Sequence, residues 1–273
     1  MSISSDPKRR DQATLRSETP DLVGVWKSRV SRSYDLWKTD FDADFMNMKL
    51  NQMPDPRKLT GLKTASHVLY DAAQITLNVE ILNLQIYAGA SHILGREVGP
   101  TDFERSQRIV TRWLNENPRA AAKTTRHAAF ILQDAIMSLH DWDTADVFYY
   151  PWCLYIATLT CWAFHLPNPA RSSCPPSDRN SNSNNNQVSH ASSPLAARNE
   201  MAVLATGMTT CNTLEELSAL AGKFDTNVLT KIMALQLASV RWAIVHDAMK
   251  VSVGLSSSPS RATRGDNGGI MRS

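Results

Sequence analysis

From Asp21 the apolar positions of the chain recur at helical spacing. Trp26, Val30, Tyr34, Trp37, Phe41, Phe45 and Met48 follow at intervals of four, four, three, four, four and three. That rhythm is one face of a long amphipathic helix. Lys27, Arg29, Arg32, Lys38 and Asp42 fall largely on the remaining surface. Core packing explains the aromatic stripe better than a ligand box does. Met53-Pro54-Asp55-Pro56 stops the helix, because proline lacks the amide donor and restricts the residue before it.

Residues 60–95 are denser in apolar side chains, and their period is mixed. Ile75, Leu77, Val79 and Ile81 alternate with Thr76, Asn78 and Glu80, which is a strand pattern. Leu69, Ala72, Ala73, Leu82, Ile86 and Ala90 fit helix instead. A lone strand leaves its backbone groups unpaired, and no second strand pattern is evident, so one or two helices are expected, with Gly95 as a C-cap. After Gly99-Pro100, Thr101 and Glu104 have the spacing of a capping box, and Phe103, Val110, Trp113 and Leu114 supply a buried face. Asn117-Pro118 opens the next helix as N-cap and first helical residue. Its stripe is Ala128, Leu132, Ala135 and Leu139, and Ala120, Ala121 and Ala122 leave room for a close neighbour.

The stretch Asp141–Leu166, DWDTADVFYYPWCLYIATLTCWAFHL, differs from all of these. Between Val147 and Leu166 it has no Asp, Glu, Lys or Arg. A segment apolar on every side must be surrounded, so the other helices read as its cover. Thr144 is a candidate N-cap, Asp143 and Asp146 place negative charge where the helix dipole favours it, and Pro151 sets a kink or the true start. The Ser/Asn/Pro-rich segment that follows cannot bury a core. Order resumes near Leu195 with a short helix to about Gly207. Thr213 and Glu216 form a second capping-box pair. A last long helix after Gly222 carries Val228, Ile232, Leu235, Trp242, Val245 and Met249. The expected organisation is a disordered tail over 1–20, a helical core over 21–166, a low-complexity linker over 167–194, further helices of the same core over 195–254, and a disordered tail over 255–273. The fold class is all-α, built around a buried central helix.

Composition narrows the function classes. The chain has 273 residues, 42% of them hydrophobic, and a formal charge of +3. That is enough apolar material for a sizeable core, and too little charge for the strong basic face of a nucleic-acid-binding domain. The four cysteines, Cys153, Cys161, Cys174 and Cys211, have no framework spacing, which fits a reducing compartment. The N-terminus lacks the apolar run of a secretory signal. Lys8-Arg9-Arg10 is a short basic patch that a solvated tail also explains.

Chemistry was sought at three places. Cys153, Cys161 and His165 lie at i, i+8 and i+12, near one face of a helix, but two packed cysteines and a helix-end histidine account for them better than a metal. His127, His140, Asp141, Asp143 and Asp146 invite a carboxylate–metal reading and with it an all-α metal-dependent enzyme. Helix capping explains those aspartates as well. His67, His92 and His246 are isolated. No Cys-Cys-His-His finger spacing, GxSxG, Walker loop or dinucleotide fingerprint occurs. A single membrane span at Val147–Leu166 has about the required length. Its many polar-tipped rings, Pro151, and the missing Lys/Arg flanks argue against it. The residues thus assign no catalytic, cofactor-binding, metal or DNA-binding position.

Taken in order, the segments resemble the regulatory region of fungal zinc-finger transcription factors, the fungal-specific transcription factor domain or middle homology region. YPWCLYIATLTCWAFH at Tyr150–His165 is the clearest likeness. LQIYAGASHILGR at Leu84–Arg96 and AAAKTTRHAAFIL at Ala120–Leu132 follow it. The opening segment Val25–Asn51 and the closing segment Ser239–Leu255 are similar too. These are packing motifs. The resemblance implies a non-enzymatic, all-α regulatory domain in a nuclear regulator of RNA polymerase II transcription, corresponding to the C-terminal part of a Cys-Cys-His-His factor. It implies no cofactor in this chain, with zinc confined to upstream fingers of the parent family. The implied partners are DNA through a separate DNA-binding domain, the transcription machinery, an effector, and a second copy in a homodimer, with no membrane.

Overall fold

The computed structural model describes residues 22–51, 56–138, 149–166, 194–223, 226–238 and 243–257. Among these the protein is all-α, with ten helices and one two-stranded hairpin. The basic patch at Lys8-Arg9-Arg10, the expected tail over 1–20 and nearly all of the linker over 167–194 lie outside the described residues. So does the expected tail beyond Ser257.

The chain divides into two compact units, Met1–Pro54 and Asp55–Ser273. In the first, α1 (Leu22–Leu50) is the helix expected from the aromatic stripe. Trp37, Phe41 and Phe45 stack along it, with ring centroids 5.8 and 6.3 Å apart. Lys38 Nζ donates to Asp42 Oδ2 at 2.6 Å one turn later. The stripe is not buried throughout, contrary to the expectation. Phe45 is buried, whereas Trp26 and Trp37, eleven residues apart and at the edge of the stripe, are exposed. Eleven residues make almost three whole turns, so the two tryptophans share one side of the helix.

The second unit holds the core. Its elements are α2 (Pro56–Asn78), α3 (Ile81–Tyr87), β1 (His92–Ile93), β2 (Arg96–Glu97), α4 (Pro100–Glu116) and α5 (Pro118–Ser138), followed by α6 (Tyr150–His165), α7 (Pro194–Thr209), α8 (Leu214–Ala219), α9 (Asn227–Ala238) and α10 (Ala243–Ser257). The ambiguous stretch around Ile75–Ile81 is helical on both sides of a break at Val79-Glu80, and tertiary burial overrides its alternation. Val68, Ile75 and Leu84 are fully buried.

Three local expectations need correction. Gly95 does not cap a helix. It follows Leu94 in the turn of an antiparallel hairpin pairing His92 with Glu97 and Ile93 with Arg96, and both turn residues have positive φ, 51° and 79°. That is the backbone a two-residue hairpin turn requires. Helix α4 starts at Pro100 and not after Thr101, with Gly99 as N-cap. Asp102 Oδ2, not Glu104, accepts the Gly99 N–H at 3.1 Å. Finally, the expected last long helix is two helices, α9 and α10, packed against each other.

Other signals hold as read. Asn117 Oδ1 accepts the Ala120 N–H at 3.1 Å at the start of α5. Thr213 Oγ1 accepts from Glu216 N at 3.1 Å, and Glu216 Oε2 accepts from Thr213 N at 3.3 Å. Pro151 marks the true start of α6, in its first turn.

Candidate functional site: the buried helix and the polar seam beside it

Helix α6 is the centre of the core. Every residue from Tyr150 to His165 except Trp152 is buried. It packs against α5, α2, α9, α3 and α10, so its apolar sides are covered all round, as the sequence requires. Its buried hydroxyls are satisfied within the helix. Thr158 Oγ1 donates to the Leu154 carbonyl at 2.8 Å and Thr160 Oγ1 to the Ile156 carbonyl at 2.7 Å. Threonine hydroxyls can be buried at little cost in this way. At the N-terminal end, Tyr149 Oη donates to the Ala65 carbonyl of α2 at 3.0 Å. Tyr87 of α3 stacks between Phe103 of α4 and Trp162, with centroids 5.9 and 5.5 Å apart.

The three residues weighed as a metal set on this helix have other surroundings. Cys153 and Cys161 are buried. Burial pushes the Cys153 thiol up to about 12 and raises Cys161 as well, so both are held as neutral thiols, the form that does not ligate metal. His165 Nε2 lies 3.1 Å from Met208 Sδ of α7. Among the described residues, no group of three or more His, Cys, Asp or Glu is placed to hold a metal ion. Likewise no helix among them is long and apolar enough to cross a membrane. His140, Asp141, Asp143 and Asp146, the proposed N-cap Thr144, and the side chain of His246 lie outside the described residues.

His127 belongs to a different arrangement. Its Nδ1 is 2.8 Å from Asp71 Oδ1, joining α5 to α2, and both side chains are about nine-tenths buried. The Tyr70 ring meets the imidazole edge-on at 5.7 Å. One turn before Asp71 stands His67, and one turn after it stands the buried Gln74, so α2 presents a polar stripe at i, i+4 and i+7. Two turns after His127, Asp134 faces the same seam. Burial raises its carboxyl above the ordinary range, His67 and Lys63 partly offset that, and Asp71 adds to it. The seam therefore carries a carboxylate–imidazole pair plus a second, desolvated carboxyl between two packed helices. Such a pair fixes the register of the helices, because breaking it strands a buried polar group. The sequence gave no sign of the pairing. His127 and Asp71 are 56 residues apart, and only the packing of α2 on α5 brings them together.

The hairpin is fixed separately. Arg96 Nη1 and Nη2 donate to Asp102 Oδ2 and Oδ1, each at 3.1 Å. The Arg96 guanidinium and the Gly99 amide hold the Asp102 carboxyl below its ordinary range.

These contacts define a helical packing module, and its likeness among known proteins is to fungal regulators of transcription. The chain is 51% identical over 259 residues to the nicotinate catabolism cluster-specific transcription factor of Emericella nidulans, a match covering 93% of this chain and 27% of that protein. It is 24% identical over 148 residues to zinc finger protein klf1 of Schizosaccharomyces pombe, covering 54% of this chain and 18% of that protein. The chain thus spans about a quarter or less of the length of these curated relatives. Neither is named as an enzyme. No family model matches the chain, and no solved structure matches it.

Proposed function

We propose that the chain is a regulatory region of a fungal zinc-finger transcription factor that acts in the nucleus on RNA polymerase II transcription. The observation that supports this reading is the 51% identity running through 93% of the chain to a cluster-specific transcription factor. Identity that extends through helices whose side chains are core is what a shared helical scaffold would give. The same relative supports a gene cluster for nicotinate catabolism as the target. In this reading DNA is contacted through zinc fingers elsewhere in the parent protein. The module sets the activity of those fingers, through dimer contacts or an effector that shifts helix packing around α6. It is the fungal-specific, middle-homology type of domain, and it needs no cofactor of its own.

The test is deletion of the coding gene in its host, followed by transcript profiling with and without nicotinate. The expected result is loss of induction of a contiguous set of catabolic genes. Induction that is unchanged across the genome would refute the reading. A complementing copy with Leu159→Ala in α6 should restore less induction than the wild-type copy.

A further inference from the structure

The exposed side of α1 carries a pattern that complements itself. Its apolar members are Trp26 (48% exposed), Leu36 (58%) and Trp37 (42%). Its charged members are Arg29, Asp40 and Asp44, all exposed. With 100° per residue, these six fall within an arc of about 100°. Large apolar side chains gathered on one exposed helix side mark an interaction surface.

The charges along α1 are segregated. Its first half carries Lys27, Arg29, Arg32 and Lys38 against Asp35, and its second half carries Asp40, Asp42 and Asp44 against Lys49. A parallel partner of the same sequence would set like charge on like. An antiparallel one sets basic on acidic. A two-fold axis between Leu36 and Trp37 places Leu36 of each copy on Trp37 of the other. Counting outward equally from that axis brings Arg29 to Asp44, Ser33 to Asp40, and Trp26 to Asn47. The interface that results is isologous, as closed two-fold dimers require, with an aromatic and aliphatic centre and charges toward its ends.

We propose that α1 is a homodimerisation helix, with a second copy of this chain packed antiparallel on the Trp26–Leu36–Trp37 side. The size is sufficient. A helix of 29 residues is about 43 Å long, and two in contact along that length bury on the order of 1,200–1,600 Å², within the range of stable specific interfaces. This inference rests on α1 alone and does not depend on the transcriptional reading.

The test is sedimentation equilibrium of the full chain from about 1 to about 100 μM, with charge-swapped variants. The wild-type chain, 30.3 kDa as a monomer, should reach twice that mass. Arg29→Asp faces Asp44 with a like charge at both symmetry-related positions, and Asp44→Arg does the same to Arg29. Each should weaken association by at least about 10-fold. An equimolar mixture of the two variants should dimerise again, since each supplies what the other lacks, and so should the double variant. Recovery on mixing also shows that both variants are folded. A wild-type chain that stays monomeric overturns the proposal and leaves the surface to another occupant. So does a dimer that ignores both swaps, or a mixture that fails to recover.

Discussion

Leu159 lies in the middle of α6 and is fully buried. Replacing it with alanine removes three carbons from the centre of the core. At about 0.8 kcal/mol per buried carbon the transfer loss is roughly 2.4 kcal/mol. The neighbours belong to helices packed on several sides of α6, so the space cannot close by shifting one of them. A cavity term therefore adds to the loss, and the total expected is about 3–4 kcal/mol. Alanine's higher helix propensity returns only a few tenths. The adjacent Thr160 is equally buried, yet Thr160→Val keeps the volume and removes a hydroxyl whose acceptor, the Ile156 carbonyl, retains its helical partner. Its cost should stay below about 1 kcal/mol. Urea unfolding followed by far-ultraviolet circular dichroism separates the two, at equal m-value. The thermal midpoint of Leu159→Ala should fall by roughly 6–14 °C, taking 2–4 °C per kcal/mol at this size. A Leu159→Ala cost under about 1 kcal/mol, or a Thr160→Val cost that exceeds it, would refute the placement of α6 at the centre of the core.

Three further outcomes follow from the same structure. Leu94 is 89% exposed and holds a φ of 51°, so Leu94→Asn loses no burial and relieves a left-handed strain. A gain of about 0.5–1 kcal/mol is expected in urea unfolding, and a loss would count against the turn geometry. Burial raises the Asp134 carboxyl in the folded chain, so the folded state binds that proton more tightly than the unfolded state. Stability must then fall as pH rises from the unfolded carboxylate range through the folded value. Asp134→Asn should therefore melt higher than the wild type near pH 8 and equal to it near pH 3; an advantage confined to the acidic end would show the sign to be wrong. Trp162→Asp buries an unpaired charge among Tyr87 and the α6 neighbours and should abolish the cooperative melting transition, whereas a native-like transition would contradict the burial of that face.

The sequence disclosed what is repeated along a helix and concealed what depends on two helices meeting. The charge-free run before Leu166 announced a surrounded helix because no amphipathic solution exists for it, and α6 is surrounded. Caps were legible where a side chain reaches its own helix, as at Asn117 and Thr213. At Gly99 the same logic chose the wrong pair, because Asp102 and Glu104 offer nearly equivalent carboxylates and the hairpin's Arg96 decides between them. The hairpin itself was invisible, since two residues per strand leave no period to detect. The Asp71–His127 pair was beyond reach for a further reason. Each residue sits beside an apolar stripe, where a lone polar side chain reads as an edge residue until the facing helix is known.

The exposure of α1 follows from the same distinction. A 4-4-3 rhythm fixes which residues share a side of a helix, but it does not fix how wide the buried arc is. Trp26 and Trp37 keep the rhythm and lie at the margin of the arc, where a small displacement decides between core and surface. The rhythm of the charges is independent of that margin. Arg29 and Asp44 stand equally far from the Leu36–Trp37 midpoint and carry opposite sign, a relation that packing within one copy does not require and that an antiparallel second copy does. A monomeric chain in the sedimentation experiment would leave this symmetry without a physical cause.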